Sequence, residues 1–437
     1  MYKKLLNEVP YLILGALIIY FFYTHSPNFD YDSFTYINFD STRPFIYPLF
    51  IYLFRWAGPY QFVFIVWVQG ILLFLALLFA RHWLKKNFQI SDFALFLVCL
   101  FVILTISFHF QIGFILSEGL SFPLFIFTFF TLIECFHQFN IKKICYLALL
   151  SSALILTRLQ FYYLYIIFVL LCFWYFYQGL SYKKIVQSII ILFGSMLLTL
   201  FIDYSYHYFK HNHFGGAPYG AMLIMVQTLY LADNNAADYF KDPVIKAYMQ
   251  IMLNQMNIKH WNKDAASTII LKPTNYDLAY QTYRRNYQPI TKMIDKILRE
   301  DIRNPSRKIS KINANNMAIE INKTLFLHTK KQNLFFFFWK FIQNVGGIPV
   351  FLFFLILQIS ILYKIFHKKM RDINLSIIFI STIIIITFLN AAMIATCNPD
   401  LPVYFCYSHF MLYCLAAFLA NRACADARST AGEGNIF

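Results

Sequence analysis

Long apolar runs, separated by short polar segments, occupy most of the chain. A bilayer core of about 30 Å needs about 20 apolar residues in helical form, and only structures that satisfy their own backbone hydrogen bonds cross it. The pattern therefore predicts an all-α polytopic membrane protein with about ten transmembrane helices. The ten candidate spans are Val9 to Tyr23, Tyr60 to Ala80, Ile90 to Phe108, Leu120 to Phe136, Ile144 to Leu159, Phe161 to Tyr177, Ile185 to Tyr206, Ile348 to Phe366, Ile373 to Thr396 and Val403 to Leu419.

Two segments depart from this pattern. Phe45 to Trp56 is apolar and aromatic but ends at Gly58-Pro59, directly before a full-length run, so we expect an interfacial helix in the first outer loop. From residue 207 to 345 the apolar periodicity stops and Lys, Asn, Asp, Tyr and Gln dominate, which predicts a mainly helical extramembrane domain. Short helices are expected there, with breaks at Pro243, Pro273, Pro289 and Pro305.

These boundaries predict four parts. They are an N-terminal module of seven helices at 1–206 with a catalytic first outer loop at 24–59, the outer domain at 207–345, three C-terminal helices at 346–420, and a disordered cytoplasmic tail at 421–437.

The distribution of charge supports this interpretation and predicts how the chain is oriented in the membrane. Of the 437 residues, 59% are hydrophobic and 13% are charged, against roughly 25% charged in soluble domains. With the N-terminus in the cytoplasm, every inner loop carries basic residues, as the positive-inside rule requires, and the domain at 207–345 lies outside. Lys142 and Lys184 share one side only if the short segment between them crosses twice, and a re-entrant pair is the alternative. The abundance of Phe, Tyr, Ile, Lys and Asn points to a bacterial inner membrane, with the outer face in the periplasm.

Most of the eight cysteines lie inside apolar runs, as small core residues do, and there is no C-x-x-C motif. Only Cys397 and Cys406 are expected near an oxidising space, and whether they pair is left open.

Charged groups near membrane depth are costly and therefore candidates for function. Asp30 and Asp32 follow the first run. In an extended loop their side chains point the same way, which suits one carboxylate as a general base and the other as its partner or as a cation ligand. The alternative is that they cap a helix.

Other charged candidates for function are predicted to lie on the same face of the membrane as Asp30 and Asp32. Glu118 opens the fourth run, where it either complements the helix dipole or joins Asp32 in a shared site. Arg43 and Arg158 suit bidentate binding of a lipid phosphate, although arginines at this depth also snorkel to headgroups. Lys210 and His211 lie where the seventh run ends and suit a phosphate or a metal, without a strict metal signature.

The order of short motifs resembles one known family. The motifs are Asp32-Ser-Phe-Thr-Tyr36, Arg43-Pro-x-x-Tyr47-Pro48, Ser117-Glu118 and Thr157-Arg158, followed by a large outer domain after the seventh helix. They resemble the integral-membrane glycosyltransferases of the C-type (GT-C) fold, especially the bacterial enzymes that modify lipopolysaccharide and their protein O-mannosyltransferase relatives. That family has an Arg-Tyr pair on its last outer loop. Here Val403 precedes Tyr404, so Arg158, Arg43 or Lys210 would have to bind the phosphate.

The resemblance implies a glycosyltransferase of the EC 2.4 class. It would move a sugar from a polyprenyl-phosphate donor to a glycan, lipid or protein acceptor on the outer face, with Asp32 as the base and Asp30 supporting it. The substrate-binding residues implied are Glu118, Arg43, Tyr36, Tyr47, Arg158, Lys210 and His211. A divalent metal (Mg or Mn) is not required, and Asp32 and Glu118 would be its ligands if one binds. Membrane lipids are expected partners, and nucleic acid is not expected as a partner on an outward face.

Two other classes remain as alternatives. A polysaccharide polymerase or ligase would depend on basic residues of the domain at 207–345. A lipid-glycan transporter or flippase would favour broken helices, paired intramembrane charges and internal repeats, whereas the mid-membrane regions here are nearly free of charge and no halves match.

Overall fold

The fold comes from a computed structural model, which describes residues 2–107, 113–263, 276–302, 304–367, 374–399 and 402–433. The predicted all-helical architecture is confirmed, with 17 α-helices in the described residues. These are α1 Tyr2–Thr24, α2 Tyr31–Ile37, α3 Ile46–Leu53, α4 Gln61–Phe88, α5 Asp92–Val102, α6 Glu118–His137, α7 Ile141–Thr157, α8 Leu164–Tyr177, α9 Tyr182–His211, α10 Gly220–Tyr230, α11 Pro243–Ile258, α12 Tyr276–Arg299, α13 Lys311–His328, α14 Lys330–Val345, α15 Ile348–His367, α16 Leu375–Cys397 and α17 Pro402–Glu433.

Shorter elements connect some of these helices. They are the 3₁₀ helices Arg55–Tyr60, Leu159–Tyr163 and Ala236–Tyr239 and a short π-helix at Ile103–Ser107. Two short antiparallel strands, β1 Glu300–Asp301 and β2 Asn304–Lys308, pair with Glu300 opposite Lys308.

Within the described residues, six helical segments are long and apolar enough to cross a membrane, which indicates an integral membrane protein. They are Arg55–Phe88, Glu118–His137, Leu159–Tyr177, Tyr182–His211, Ile348–Ile365 and Leu375–Cys397. The first, third, fifth and tenth predicted spans are not among them. The apolar part of α1, Glu8–Thr24, and the whole of α7 have 17 residues each, which gives about 25 Å at 1.5 Å per residue, less than the bilayer core.

Helices continue through two places where the sequence predicted an interruption. The backbone of α17 is helical as far as Glu433, across most of the segment predicted to be disordered, and its alanine content favours that state. Pro289 lies inside α12 and does not end it. The neighbouring side chains Tyr287 and Ile290 are buried in the core of their domain, and this packing holds α12 together despite the proline.

The chain forms two compact units. The first comprises Met1–Asp203, Gln358–Thr387 and Pro402–Phe437. At its centre lies α6, on which the aromatic side chains of Phe122, Phe125 and Phe129 are fully buried. A Cβ atom on Gly119 would lie 2.4 Å from Cδ of Gln69 on α4, so a larger residue at this position would have to displace the Gln69 side chain.

The second unit comprises Tyr204–Leu357 and Phe388–Leu401. Its core is formed by α10 to α14 and is rich in aromatic side chains, such as Tyr230, Tyr283 and Phe336. The unit includes the segment 207–345 but also takes in residues of α15 and α16. The predicted domain boundaries therefore stay a prediction.

Candidate active site

The segment between α1 and α2 and the segment just before α6 lie side by side. The backbone N–H of Asn28 donates to the carbonyl oxygen of Gly113 at 2.8 Å, and the N–H of Ile115 donates to the carbonyl oxygen of Asn28 at 3.1 Å. This short parallel bridge sets the residues just before α2 beside those just before α6. The two acidic segments found in the sequence, Asp30 to Asp32 and Ser117 to Glu118, therefore meet in the first unit.

Asp30 is the N-cap of α2. Its Oδ1 accepts a hydrogen bond from the backbone N–H of Tyr31 at 2.6 Å, and its own N–H donates to Oγ of Ser33 at 2.9 Å, which completes a capping box. The prediction of an extended loop with two parallel carboxylates is wrong. Asp32 lies in the first turn of α2, where residues two apart point to different sides of the helix, so Asp30 and Asp32 do not form a shared acid pair.

Asp32 is instead paired with Arg43. Nη2 of Arg43 forms an ion pair with Oδ1 of Asp32, and the Asp32 side chain remains 48% exposed while that of Arg43 is 21% exposed. Nε of Arg43 donates to Oγ1 of Thr35 at 2.7 Å, and its guanidinium lies 4.6 Å from the ring centroid of Tyr36. Although burial disfavours the charge, Tyr36 and Asp32 hold the pKa of Arg43 above its ordinary value, so Arg43 stays cationic.

A buried chain of hydrogen bonds leads inward from Arg43. Nη1 of Arg43 donates to the Tyr36 hydroxyl at 3.4 Å, and that hydroxyl donates to Oγ of Ser117 at 3.0 Å. Oγ of Ser117 donates in turn to Oε2 of Glu118 at 3.2 Å. Burial raises the pKa of Tyr36, so its hydroxyl keeps its proton and remains a donor.

Glu118 forms the second ion pair. Its Oε1 pairs with Nη1 of Arg158, and the two side chains are 7% and 11% exposed. The Arg158 guanidinium lies 4.7 Å from the ring centroid of Tyr404, and its Nε donates to Oε1 of Gln160 at 2.9 Å. Nε2 of Gln160 donates to the carbonyl oxygen of Tyr404 at 3.1 Å, which ties the start of α17 to the 3₁₀ helix Leu159–Tyr163.

The second predicted tyrosine, Tyr47, lies against this chain. Its ring packs edge to face with Tyr36 at 4.9 Å, and its hydroxyl accepts a hydrogen bond of 2.7 Å from Nε2 of Gln69. Tyr47 is fully buried, so it supports the position of Tyr36 and does not present a surface to a substrate.

The structure brings together Asp32, Arg43, Tyr36, Tyr47, Glu118 and Arg158. Lys210 and His211 belong to the second compact unit, where the rings of His207 and His211 lie 5.7 Å apart. Asp400 and the backbone of residue 401 on the last loop lie outside the described residues, and so does the side chain of Val403.

Sequence reasoning missed Gln69 and Gln160. Gln69 is a single amide in the middle of the apolar run Tyr60 to Ala80, and a buried amide needs a partner, so the polar position itself was a usable signal. Gln160 follows Arg158 by two residues and shows no signal in the sequence.

The donor set does not fit a divalent metal. No group of three or more His, Cys, Asp or Glu side chains that could hold an ion occurs in the described part of the chain. The two carboxylates expected as ligands, Asp32 and Glu118, are each paired with an arginine. Mg²⁺ and Mn²⁺ prefer several oxygen ligands, whereas these carboxylates already have cationic partners.

Comparison of the chain with models of protein families, with curated proteins and with solved structures finds no match in any of the three. The resemblance drawn from the short motifs therefore stays a prediction.

Proposed function

We propose that the protein is a membrane glycosyltransferase that moves a sugar from a polyprenyl-phosphate donor to an acceptor on the outer face of a bacterial inner membrane. The observation that carries the proposal is the row of alternating charges Asp32, Arg43, Glu118 and Arg158, joined through Tyr36 and Ser117. The row combines a half-exposed carboxylate with a guanidinium beside it. A reaction that deprotonates a hydroxyl and releases a phosphate needs both groups.

The two ion pairs differ in accessibility, and this assigns them different roles. Arg43 is the more exposed arginine and has an exposed partner, so it can exchange Asp32 for the donor phosphate. Arg158 and Glu118 are both buried and hold Ser117 at the end of the hydrogen-bond chain. The Glu118–Arg158 pair therefore positions Tyr36 and, through it, Arg43.

The reaction follows from these roles. When the donor phosphate binds Arg43, the carboxylate of Asp32 is released and accepts the proton of the acceptor hydroxyl. The acceptor oxygen forms a bond to the anomeric carbon of the sugar while the bond from that carbon to the phosphate oxygen breaks. Polyprenyl phosphate leaves with the electron pair of the broken bond, and the guanidinium of Arg43 stabilises the charge that develops on it.

The proposal includes the finer topology of ten spans with the N-terminus in the cytoplasm. The basic inner loops support this orientation, and the apolar character of α1, α5 and α7 supports their inclusion as short or tilted spans. With this arrangement α3 lies in the outer interface and the row of charges faces the periplasm.

A transfer assay tests the proposal with a matched pair of variants. Purified wild-type protein in vesicles is offered a panel of short-chain polyprenyl-phosphate pentoses and hexoses together with glycan, lipid and protein acceptors, and release of polyprenyl phosphate is measured. Asp32→Asn is expected to lose roughly 10² to 10⁴-fold in rate, because the base is gone. Asp30→Asn is expected to keep the wild-type rate, because asparagine caps a helix as well as aspartate does. Equal activity of Asp32→Asn and wild type would overturn the assignment of the base.

A further inference from the structure

Helix α14 in the second unit exposes large apolar side chains while several of its polar side chains are buried. Asn333, Lys340 and Asn344 are buried, together with Phe336 and, at the C-terminal end, Val345. Leu334 and Phe338, one turn apart on the exposed face, are 51% and 56% exposed. A helix on the surface of a water-soluble domain has polar side chains on its exposed face and its apolar stripe toward the core, so the exposure of Leu334 and Phe338 is unusual for such a helix.

Hydrogen bonds fix this orientation. Nζ of Lys340 donates to Oε1 of Gln227 at 2.9 Å, and Nε2 of Gln227 donates to Oδ1 of Asn333 at 3.1 Å. Nδ2 of Asn333 donates to Oγ1 of Thr329 at 2.7 Å. Rotation of α14 to bury Leu334 and Phe338 would break this network and leave its polar groups unpaired, so the exposed face belongs to the folded state.

The C-terminal end of α14 packs on a membrane-spanning helix. Nδ2 of Asn344 donates to the carbonyl oxygen of Ala391 at 3.3 Å, and the ring of Phe341 lies 5.9 Å from that of Phe388. Ala391 and Phe388 belong to the span Leu375–Cys397. They lie about 9 and 14 Å inside its end, at 1.5 Å per residue.

The chain then turns directly from α14 into another span. Gly346 and Gly347 have positive φ angles of 118° and 86°, a conformation that glycine adopts readily, and α15 begins at Ile348. The end of α14 is therefore held at the membrane boundary by contacts with α16 and by its short connection to α15.

Basic residues flank the exposed apolar face. Lys330 and Lys331 begin α14, and both are exposed. Leu327, 54% exposed, extends the apolar surface onto the end of α13. An apolar face with lysines at its edge fits the boundary between acyl chains and phosphate headgroups, where the stems of lysines lie in apolar surroundings and their charges reach the phosphates.

We infer that α14 is a membrane-bound helix of the second unit, with Leu334 and Phe338 among the lipid acyl chains and Lys330 and Lys331 at the lipid phosphates. This inference does not depend on the proposed function, nor on which face of the membrane carries the unit. The sequence pattern predicts that this domain is extramembrane. The inference places one of its helices in direct contact with lipid.

Fluorescence in lipid vesicles tests the inference. Phe338→Trp adds an indole at the exposed face, and Gln288→Trp adds one at an exposed polar position on α12 as the matched control. Each full-length variant is reconstituted in phosphatidylcholine with and without brominated acyl chains, and the emission of the unchanged protein is subtracted. Leu334→Trp is a second probe of the same face, and circular dichroism verifies the fold of each variant.

The added emission of Phe338→Trp is expected to fall strongly in brominated vesicles and to resist aqueous iodide, and that of Gln288→Trp is expected to do the reverse. Two results would overturn the inference. Quenching of Trp at 338 and 334 by iodide alone would place the face in water. Resistance to both quenchers would show that protein covers it, from a second copy or from another partner.

Discussion

The ion pair between Glu118 and Arg158 is expected to be the main electrostatic support of the candidate site. Both side chains are almost completely buried, so neither charge is solvated by water once its partner is lost. Glu118→Gln keeps the shape of the side chain and removes its charge. The guanidinium of Arg158 then remains buried beside a neutral amide, with the Tyr404 ring and Gln160 as its other partners.

The expected cost of this change is large. Removing one partner of a buried ion pair costs about 3 to 5 kcal/mol, because the remaining charge is uncompensated. At about 2 to 4 °C per kcal/mol, the midpoint of thermal unfolding should fall by roughly 6 to 20 °C. The pair of Asp32 with Arg43 is far more exposed, so Asp32→Asn is expected to cost only about 0 to 1 kcal/mol.

Thermal unfolding of the purified protein in detergent, followed by tryptophan fluorescence, measures both variants under the same conditions. The double variant Glu118→Gln, Arg158→Met removes the uncompensated charge and should recover part of the loss. If Glu118→Gln unfolds at the same temperature as Asp32→Asn, the buried pair contributes little, and its role in positioning Ser117 and Tyr36 is refuted.

Three further predictions concern other parts of the chain. Asp30→Ala should lower the free energy of unfolding by about 1 kcal/mol through loss of the α2 cap, whereas Asp30→Asn should not, and chemical or thermal unfolding distinguishes them. Gly119→Ala should displace Gln69 and cost about 1 to 3 kcal/mol, and adding Gln69→Ala should restore part of it; equal stability of Gly119→Ala and wild type would contradict the close approach. Burial lowers the pKa of Lys340 to about 7, so the unfolded chain binds more protons between pH 7 and 10.5, and stability should rise with pH in that window by up to about 1.4 kcal/mol per pH unit. Lys340→Met should abolish this contribution and the exposed control Lys331→Met should not, as unfolding midpoints at several pH values will show.

The sequence predicted the helical class and six of its spans because these depend on length and composition alone. Tyr60 to Ala80 and Ile185 to Tyr206 are long apolar runs, and helices of 34 and 30 residues contain them. The shorter runs are ambiguous by the same measure, since α7 covers only about 25 Å.

The residues that make up the site were partly predictable from the sequence, but which carboxylate pairs with which arginine was not. The alternation of spans set Glu118 and Asp32 on one face, which made a shared site a reasonable expectation. The pairing of each carboxylate with an arginine depends on the tertiary contacts of residues 11 and 40 positions apart, which short motifs do not encode. Asp30 shows the converse: the pattern Asp30-x-x-Ser33 is a local capping signal, and that local role is the one it has.

The lipid contact inferred for α14 could not be predicted from the sequence, for another physical reason. Its exposed face carries Leu334 and Phe338, whereas Asn333 and Lys340 are buried beside Phe336, so a rule that places apolar residues inside does not identify which face packs on the domain. The inferred lipid contact rests instead on the packing of Phe341 and Asn344 on α16.

Binding of a short-chain polyprenyl phosphate, measured by calorimetry on the protein in detergent, tests the central claim that Arg43 receives the donor phosphate. Wild type is expected to bind, and Arg43→Gln should weaken binding by roughly 10 to 100-fold, as expected for loss of a charge-assisted hydrogen bond. Arg55→Gln, which removes an exposed arginine of the 3₁₀ helix Arg55–Tyr60, should bind like wild type. The claim is contradicted if wild type does not bind the lipid phosphate, or if Arg43→Gln binds it as tightly as Arg55→Gln does.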